Sequence, residues 1–239
     1  MIKGMIEMLI ETIGSGSKGN GYVIKTGDEY LLLECGMPPR DMLKAISFQT
    51  QMVTGCLVSH EHFDHYKYAK DYIRYGFPVY MTEESKPECF TGKTMRRMKK
   101  QMIGRFSVVP FGVPHNGTEC DGFLICHPDC GKILFITDAE MCPYDFSKVG
   151  INHLMVECNY SLGYVEMTDE NRDHVLLGHM ELETCRRFIR SVYSENLRSI
   201  GLIHISRDHG DRKEFESTIQ QGFSNIKVWA AQKNAVVEV

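Results

Sequence analysis

The chain has 239 residues, 43% of them hydrophobic, and a formal net charge of −4. That length and apolar share suit one globular domain over residues 1–239 with a full core, and the charge does not mark a basic nucleic-acid coat, although a mean can hide a local patch. Nine cysteines, an odd number scattered through apolar runs, read as reduced thiols of a cytoplasmic protein and not as a disulfide framework.

The opening stretch, MIKGMIEMLIETIG, is apolar but broken by Glu7 and Glu11 and lacks a small-residue cleavage site. It reads as a first strand, not a signal peptide. GSGSKGNG at 14–21 invites a phosphate-loop reading, but no Gly-Lys-Ser/Thr closes it and a strand follows, so a tight hairpin is expected. Apolar runs of strand length then recur: GYVIKT, YLLLEC, TGCLVS, PVYMT, FSVVPF, GFLICH, KILFIT, HLMVEC, SIGLIHI and IKVWAA. Several are continuous instead of alternating, which suits strands buried on both faces. Between them YKYAKDYIRYG spaces Tyr68, Tyr72 and Tyr75 as a helix would. ELETCRRFIRSVYSEN does so with Leu182, Cys185, Ile189 and Val192, and RKEFESTIQQGF with Phe215 and Ile219. Sheet packed between helices follows, and no apolar run nears the ~18 residues of a membrane span.

Residues 86–105 are strongly basic: Lys86, Lys93, Arg96, Arg97, Lys99, Lys100 and Arg105 stand against Glu88 alone. The plain expectation is a solvated helix with Met95, Met98 and Met102 on its buried side. With an active site nearby, Arg96, Arg97, Lys99 and Lys100 become candidates to contact phosphates. CHPDC, with Cys126, His127 and Cys130, lacks a second matching pair at zinc-finger spacing and is read as a turn.

The chemistry concentrates in SHEHFDH, which follows the run GCLVS. His60 and His62 are two apart, so in an extended segment both point the same way; Asp64 continues the alternation and His65 departs from it. A loop folded back at Phe63 offers two ligands to one metal and two to a neighbour. Imidazole and carboxylate together suit zinc, or manganese or iron where oxygen contributes more.

His-x-His-x-Asp-His after an apolar strand resembles the signature of the metallo-β-lactamase-fold hydrolases, and the rest of that pattern follows in order. The resemblance implies an αββα sandwich of two mixed sheets between helices and two divalent metal ions. By it, His115 in VPHNG is the third ligand of the first metal, Asp138 in ILFITDAE bridges both, and His204 in GLIHIS is the last ligand of the second. Taken singly, His115 reads as a turn histidine, Asp138 as a helix N-cap and His204 as a core histidine. Together each ends an apolar run, where open sheets carry their sites. Where the family usually has Asp after an early strand, this chain has Glu34 in LLLECG.

GSGSKGN, LLLECG, SHEHFDH, VPHN, TDAEM, VECNY, GHMELE and HISRDH resemble, in this order, the bacterial YycJ-like (WalJ-like) phosphodiesterases, proposed DNA exonucleases related to ribonuclease Z. That resemblance implies hydrolysis of nucleic acid, DNA before RNA, with Asp64 orienting or deprotonating the attacking water. The leaving oxygen needs a proton, and His179, at the start of a helix and needed by neither metal, is the candidate donor. Ser206, Arg207 and His209 are candidate substrate contacts; Glu34, Glu157 and Asn159 are candidate partners of the ligands. The competing expectations are a small-molecule hydrolase on the same fold, a lactonase or cyclic-nucleotide phosphodiesterase, and a non-catalytic binding module. Against the latter stands a ligand set complete for two metals.

Overall fold

The computed structural model describes residues 8–166 and 172–239. Strands β1 (Leu9–Gly14), β2 (Gly21–Lys25) and β3 (Tyr30–Leu33) form an antiparallel meander. Helix α1 (Pro39–Ala45) then crosses to β4 (Val53–Leu57), and α2 (Phe63–Tyr66) and α3 (Ala69–Arg74) to β5 (Val79–Thr82). These strands and β6 (Lys93–Met95) add in parallel to β3. The second half repeats the plan. Strands β7 (Gln101–Ile103), β8 (Phe106–His115), β9 (Thr118–His127) and β10 (Gly131–Ile136) are antiparallel. Strand β11 (His153–Glu157), helices α4 (Arg172–Gly178) and α5 (Leu182–Val192), β12 (Ser199–Ile203), α6 (Arg212–Gly222) and β13 (Lys227–Ala230) continue it in parallel. Finally β14 (Val236–Glu238) returns to pair with β1. Two seven-stranded sheets result, ordered β14-β1-β2-β3-β4-β5-β6 and β13-β12-β11-β10-β9-β8-β7.

The sheets face each other, and helices cover their outer faces. Period-two alternation sorts each strand between the layers. On β3, Leu31 and Leu33 join the core between the sheets, while Leu32 joins the one shared with α1 and α3. On β10, Ile133 and Phe135 point between the sheets, and Leu134 and Ile136 pack toward α5 and α6. Burial on both faces accounts for the continuous apolar runs. Phe135 lies edge-on to Tyr22 at 5.8 Å between ring centres and stacks on Phe123 at 6.3 Å. Truncating so buried a ring typically costs about 3–5 kcal/mol.

Helices α5 and α6 match their stripes, with Leu182, Cys185, Ile189 and Val192 and then Phe215 and Ile219 buried. Residues 86–105 do not form the expected helix. Lys93–Met95 and Gln101–Ile103 are the edge strands of the two sheets, and of the three methionines only Met95 is buried; Met98 and Met102 are 60% and 56% exposed. Pairing to β5 and β8 overrides the methionine spacing, and the flanking lysines and arginines suit strand edges that must not pair further. The tyrosine stripe is also interrupted. Tyr68 N donates to Cys35 O and Cys35 N to His65 O, so the chain is clamped to Cys35 between α2 and α3. Tyr72 is buried, and Tyr75 is exposed.

CHPDC spans the end of β9 and the turn into β10, as expected. His127 meets Glu29 at 3.0 Å, and the Arg105 guanidinium supplies positive charge beside it through Asp28 and Asp129. The first-strand reading extends over residues 1–7, which lie outside the described residues. No helix among the described residues is long and apolar enough to cross a membrane.

Candidate metal centre

One rim of the sandwich collects the strand ends and the polar residues they carry. Glu34 follows β3, His60 lies beyond β4, His115 ends β8, Asp138 lies two past β10, Glu157 ends β11 and His204 follows β12. Three of these sit in the left-handed region that disfavours side chains: Glu34 at φ 66°, Asp138 at 44° and His204 at 52°. Each such turn costs on the order of 1 kcal/mol, and such strain concentrates where surrounding structure holds a functional group in place. No helix follows Asp138, so its reading as an N-cap falls away.

The ligand atoms of His60, His62, His115 and Asp138 lie within 4.8 Å of one another, and so do those of Asp64, His65, Asp138 and His204. Asp138 belongs to both groups. Its Oδ2 is 3.7 Å from His60 Nε2 and 3.6 Å from His115 Nε2, while its Oδ1 is 3.3 Å from His65 Nε2 and 3.0 Å from His204 Nδ1. One carboxylate thus turns an oxygen to each group, the arrangement of a bridging ligand. The seven residues expected as ligands are brought together.

The far sides of the rings are anchored. His60 Nδ1 lies 2.9 Å from Ser59 Oγ, His115 Nδ1 2.6 Å from the Gly178 carbonyl, and His65 Nδ1 3.4 Å from the Glu34 carboxylate. The contacts of His60 and His115 fix ring orientation and leave the other nitrogen for a cation, whereas His65 Nε2 also lies 2.9 Å from Asn20 Nδ2. Among the described residues, His60 Nε2 and His65 Nδ1 are buried without a hydrogen-bond partner, and a bound cation would remove that cost at His60. Glu34, the departure from the family pattern, still reaches His65 and also accepts from Ser59 N at 3.3 Å.

Charge tells the same story. Burial pulls the His65 and His204 pKa values down, but facing carboxylates outweigh it; Asp138 leads, and His204 is lifted to about 10. Burial likewise opposes ionisation of Asp138 and Asp64, yet neighbouring histidines hold both well below the ordinary carboxylate range. His60 and His115 are pushed down, chiefly by burial. The carboxylates draw positive charge toward His65 and His204, while burial favours the neutral form of His60 and His115. Neutral imidazole and ionised carboxylate are the forms that bind a divalent metal ion.

Glu157 ties the rim together. Its Oε2 accepts from Ala139 N at 2.8 Å and Met180 N at 3.1 Å, the residues following Asp138 and His179. Its Oε1 lies 2.7 Å from His179 Nδ1, 2.9 Å from His204 Nδ1 and 3.3 Å from Asn159 Nδ2. His179 lies in the link between α4 and α5, not at a helix start, because Glu181 caps α5. Burial lowers the His179 pKa, but Glu157 more than offsets that and the net shift is upward. With His174, His204, Asn159, Ser206, Arg207 and His209, it lines a cavity of about 190 Å³.

Sequence reading missed the loop between β1 and β2. It joins β1 to the antiparallel β2 through six residues and not by the tight turn expected, and it also braces the site. Asn20 N donates to Asp64 O at 2.7 Å, Asn20 Nδ2 donates to Asp64 Oδ2 at 3.2 Å, and His204 N donates to Ser15 Oγ at 2.8 Å. Gly36 allows the close approach, since a Cβ there would fall 1.6 Å from the Asp64 carbonyl oxygen. The Ser-Gly-Ser-Lys-Gly-Asn run was the available signal. In the basic segment, Arg96, Lys99 and Lys100 are exposed, whereas Arg97 is turned inward and paired with Asp121 and Glu119 at 2.6 Å each. Arg97 abuts Gly112, and Met98 N donates to Pro110 O, so the segment runs along β8 away from His115.

A family model described as the metallo-beta-lactamase superfamily matches residues 14–141. The chain is similar to exodeoxyribonuclease YycJ of Bacillus anthracis, at 26% identity over 229 residues, covering 87% of this chain and 86% of that one. Among solved structures, the metallo-beta-lactamase fold protein YhfI of Bacillus subtilis matches with a TM-score of 0.74 at 18% identity, over 98% of this chain and 100% of that one. The short form of human tRNase Z matches at 0.65 and 16%, over 96% and 98%. At these identities the two structures speak to the fold alone.

Proposed function

The chain belongs to the metallo-β-lactamase superfamily and is a metal-dependent hydrolase, and from that premise we propose that it is a dinuclear phosphodiesterase acting on nucleic acid, as a DNA exonuclease. The observation that carries this reading is His179, which lines the cavity and lies 2.7 Å from the buried Glu157. It is not among the seven ligands of the two groups above, although with Asp138, Glu157 and His204 it forms a third set of donors within 4.8 Å. The similarity to an exodeoxyribonuclease over most of both chains supports DNA as the polymer.

We assign His60, His62, His115 and Asp138 to one metal and Asp64, His65, Asp138 and His204 to the other, zinc or manganese, with iron the third candidate. When bound, the two ions supply Lewis acidity toward a phosphate oxygen and favour ionisation of water at neutral pH. Asp64, held by Asn20 and kept ionised by the neighbouring histidines, would orient the attacking water. His179, kept protonated by Glu157, donates to the leaving oxygen. Ser206, Arg207 and His209 meet the scissile phosphate from the cavity wall, and Arg96, Lys99 and Lys100 meet a longer substrate along β8. Nine free thiols suit a cytoplasmic setting.

The test is incubation of manganese- and zinc-loaded protein with end-labelled single- and double-stranded DNA and RNA, alongside a panel of lactones and cyclic nucleotides. Stepwise shortening of DNA is the expected result. Turnover confined to lactones or cyclic nucleotides would transfer the assignment to a small-molecule hydrolase.

A further inference from the structure

A second cleft, of about 510 Å³, opens beside the metal centre. It lies between the Gly14–Gly19 loop, the Gly36–Asp41 segment, Arg207 and Arg212 ahead of and at the start of α6, and Gln232–Lys233. Gly16, Ser17 and Arg207 line both this cleft and the His179 cavity, so the two adjoin. The shared wall is also tied to the site, through Ser15 to His204 and through Asn20 to Asp64.

The charge of the cleft reverses that of the chain. Lys18, Arg207, Arg212 and Lys233 face it against a single acid, Asp41, in a protein of net charge −4. Asp41 is occupied, 3.6 Å from Lys233. Asp211, beside Arg212, spends its carboxylate capping α6 through Lys213 N and Glu214 N. Among the described residues, no carboxylate pairs with Lys18, Arg207 or Arg212, and all three are exposed. Tyr68, half-buried, adds an aromatic wall. A cationic groove with an aromatic side, leading out of a phosphodiesterase centre, has the makings of a single-strand site: charge follows the backbone and a ring takes a base face.

Building on the nucleic-acid reading above, we propose that this cleft is the track of a single-stranded polynucleotide. Lys18 and Arg212 hold phosphates beyond the scissile one, and Arg207 stands where the track enters the metal centre. The contacts are to backbone charge, so the cleft binds without sequence preference.

The experiment measures binding of fluorescein-labelled DNA and RNA single strands of about twelve nucleotides, a length typical of such sites. It compares His179→Ala, in which cutting of the probe should be slowed, with the same protein carrying Lys18→Gln and Arg212→Gln. Each single-strand phosphate contact contributes about 0.7 to the salt slope, so the double change should flatten it by about 1.4 and weaken binding at low salt. Thermal unfolding of both proteins checks that the fold is intact. Lys18→Glu alone, on an exposed loop, gives an independent reading and should weaken binding too. Unchanged affinity and salt slope in both variants, with the parent still binding, would overturn the cleft assignment and leave the nuclease reading standing. A parent that binds neither strand at any salt would overturn both.

Discussion

Glu157 Oε1 and His179 Nδ1 lie 2.7 Å apart, and the same oxygen lies 2.9 Å from His204 Nδ1. One carboxylate therefore positions a histidine of the metal cluster and a histidine outside both ligand groups. On the proposed roles, holding the metals and delivering a proton fall to two histidines joined by one carboxylate.

His179→Ala should leave metal content intact and cut turnover by roughly 10²–10⁴-fold, the usual worth of a general acid. Elemental analysis beside steady-state kinetics checks both halves. Loss of metal from this variant would make His179 a ligand and displace His204 from that role.

The protein should carry close to two metal ions per chain, and Asp138→Ala should lower the occupancy of both, because the Asp138 oxygens face both groups. Metal analysis after reconstitution measures this. Retention of one ion at undiminished affinity in the variant would show that Asp138 does not bridge.

Arg97 should prove structural and its neighbours not. Asp121 is fully buried, and Arg97 Nε donates to it at 2.6 Å. Arg97→Ala leaves that carboxylate without its cation and should cost on the order of 3 kcal/mol. Urea unfolding should show the midpoint fall with the slope unchanged. Changing Arg96, Lys99 and Lys100 to Gln should instead leave the midpoint in place, flatten the salt dependence of polynucleotide binding and weaken it. An unaltered salt slope would make them merely solvated edge charges.

Stability should fall in acid through His153, at the end of β11 remote from Glu157. Burial, followed by the nearby Arg198, pushes its pKa down to about 4. The unfolded chain takes up this proton near pH ~6.5, whereas the folded chain refuses it until about 4, so stability declines as pH drops between those values. The full effect is on the order of 3 kcal/mol. His153→Gln should flatten the dependence of unfolding free energy on pH across that window. A variant as acid-sensitive as the parent would place the effect elsewhere.

The sequence by itself determined that the strands are buried on both faces, and its resemblance to the metallo-β-lactamase family supplied the residues expected at the cluster. Runs such as YLLLEC and KILFIT can only be buried on both faces, because every second residue of each strand is as apolar as its neighbours. His60, His62, Asp64 and His65 lie within six residues, where chain geometry alone forces them close, and His115, Asp138 and His204 each close an apolar run. Tertiary structure decided the rest, since those outcomes depend on partners far away in the chain. The basic segment became edge strands because β5 and β8 offered unpaired backbone, which local methionine spacing cannot register. Arg97 was withdrawn from solvent by Asp121, 24 residues on, and the β1–β2 loop gained its bracing role only where Asn20 meets Asp64 across 44 residues. Periodicity reports which face of an element is buried; which charge meets which is settled only when the sheets close over one another.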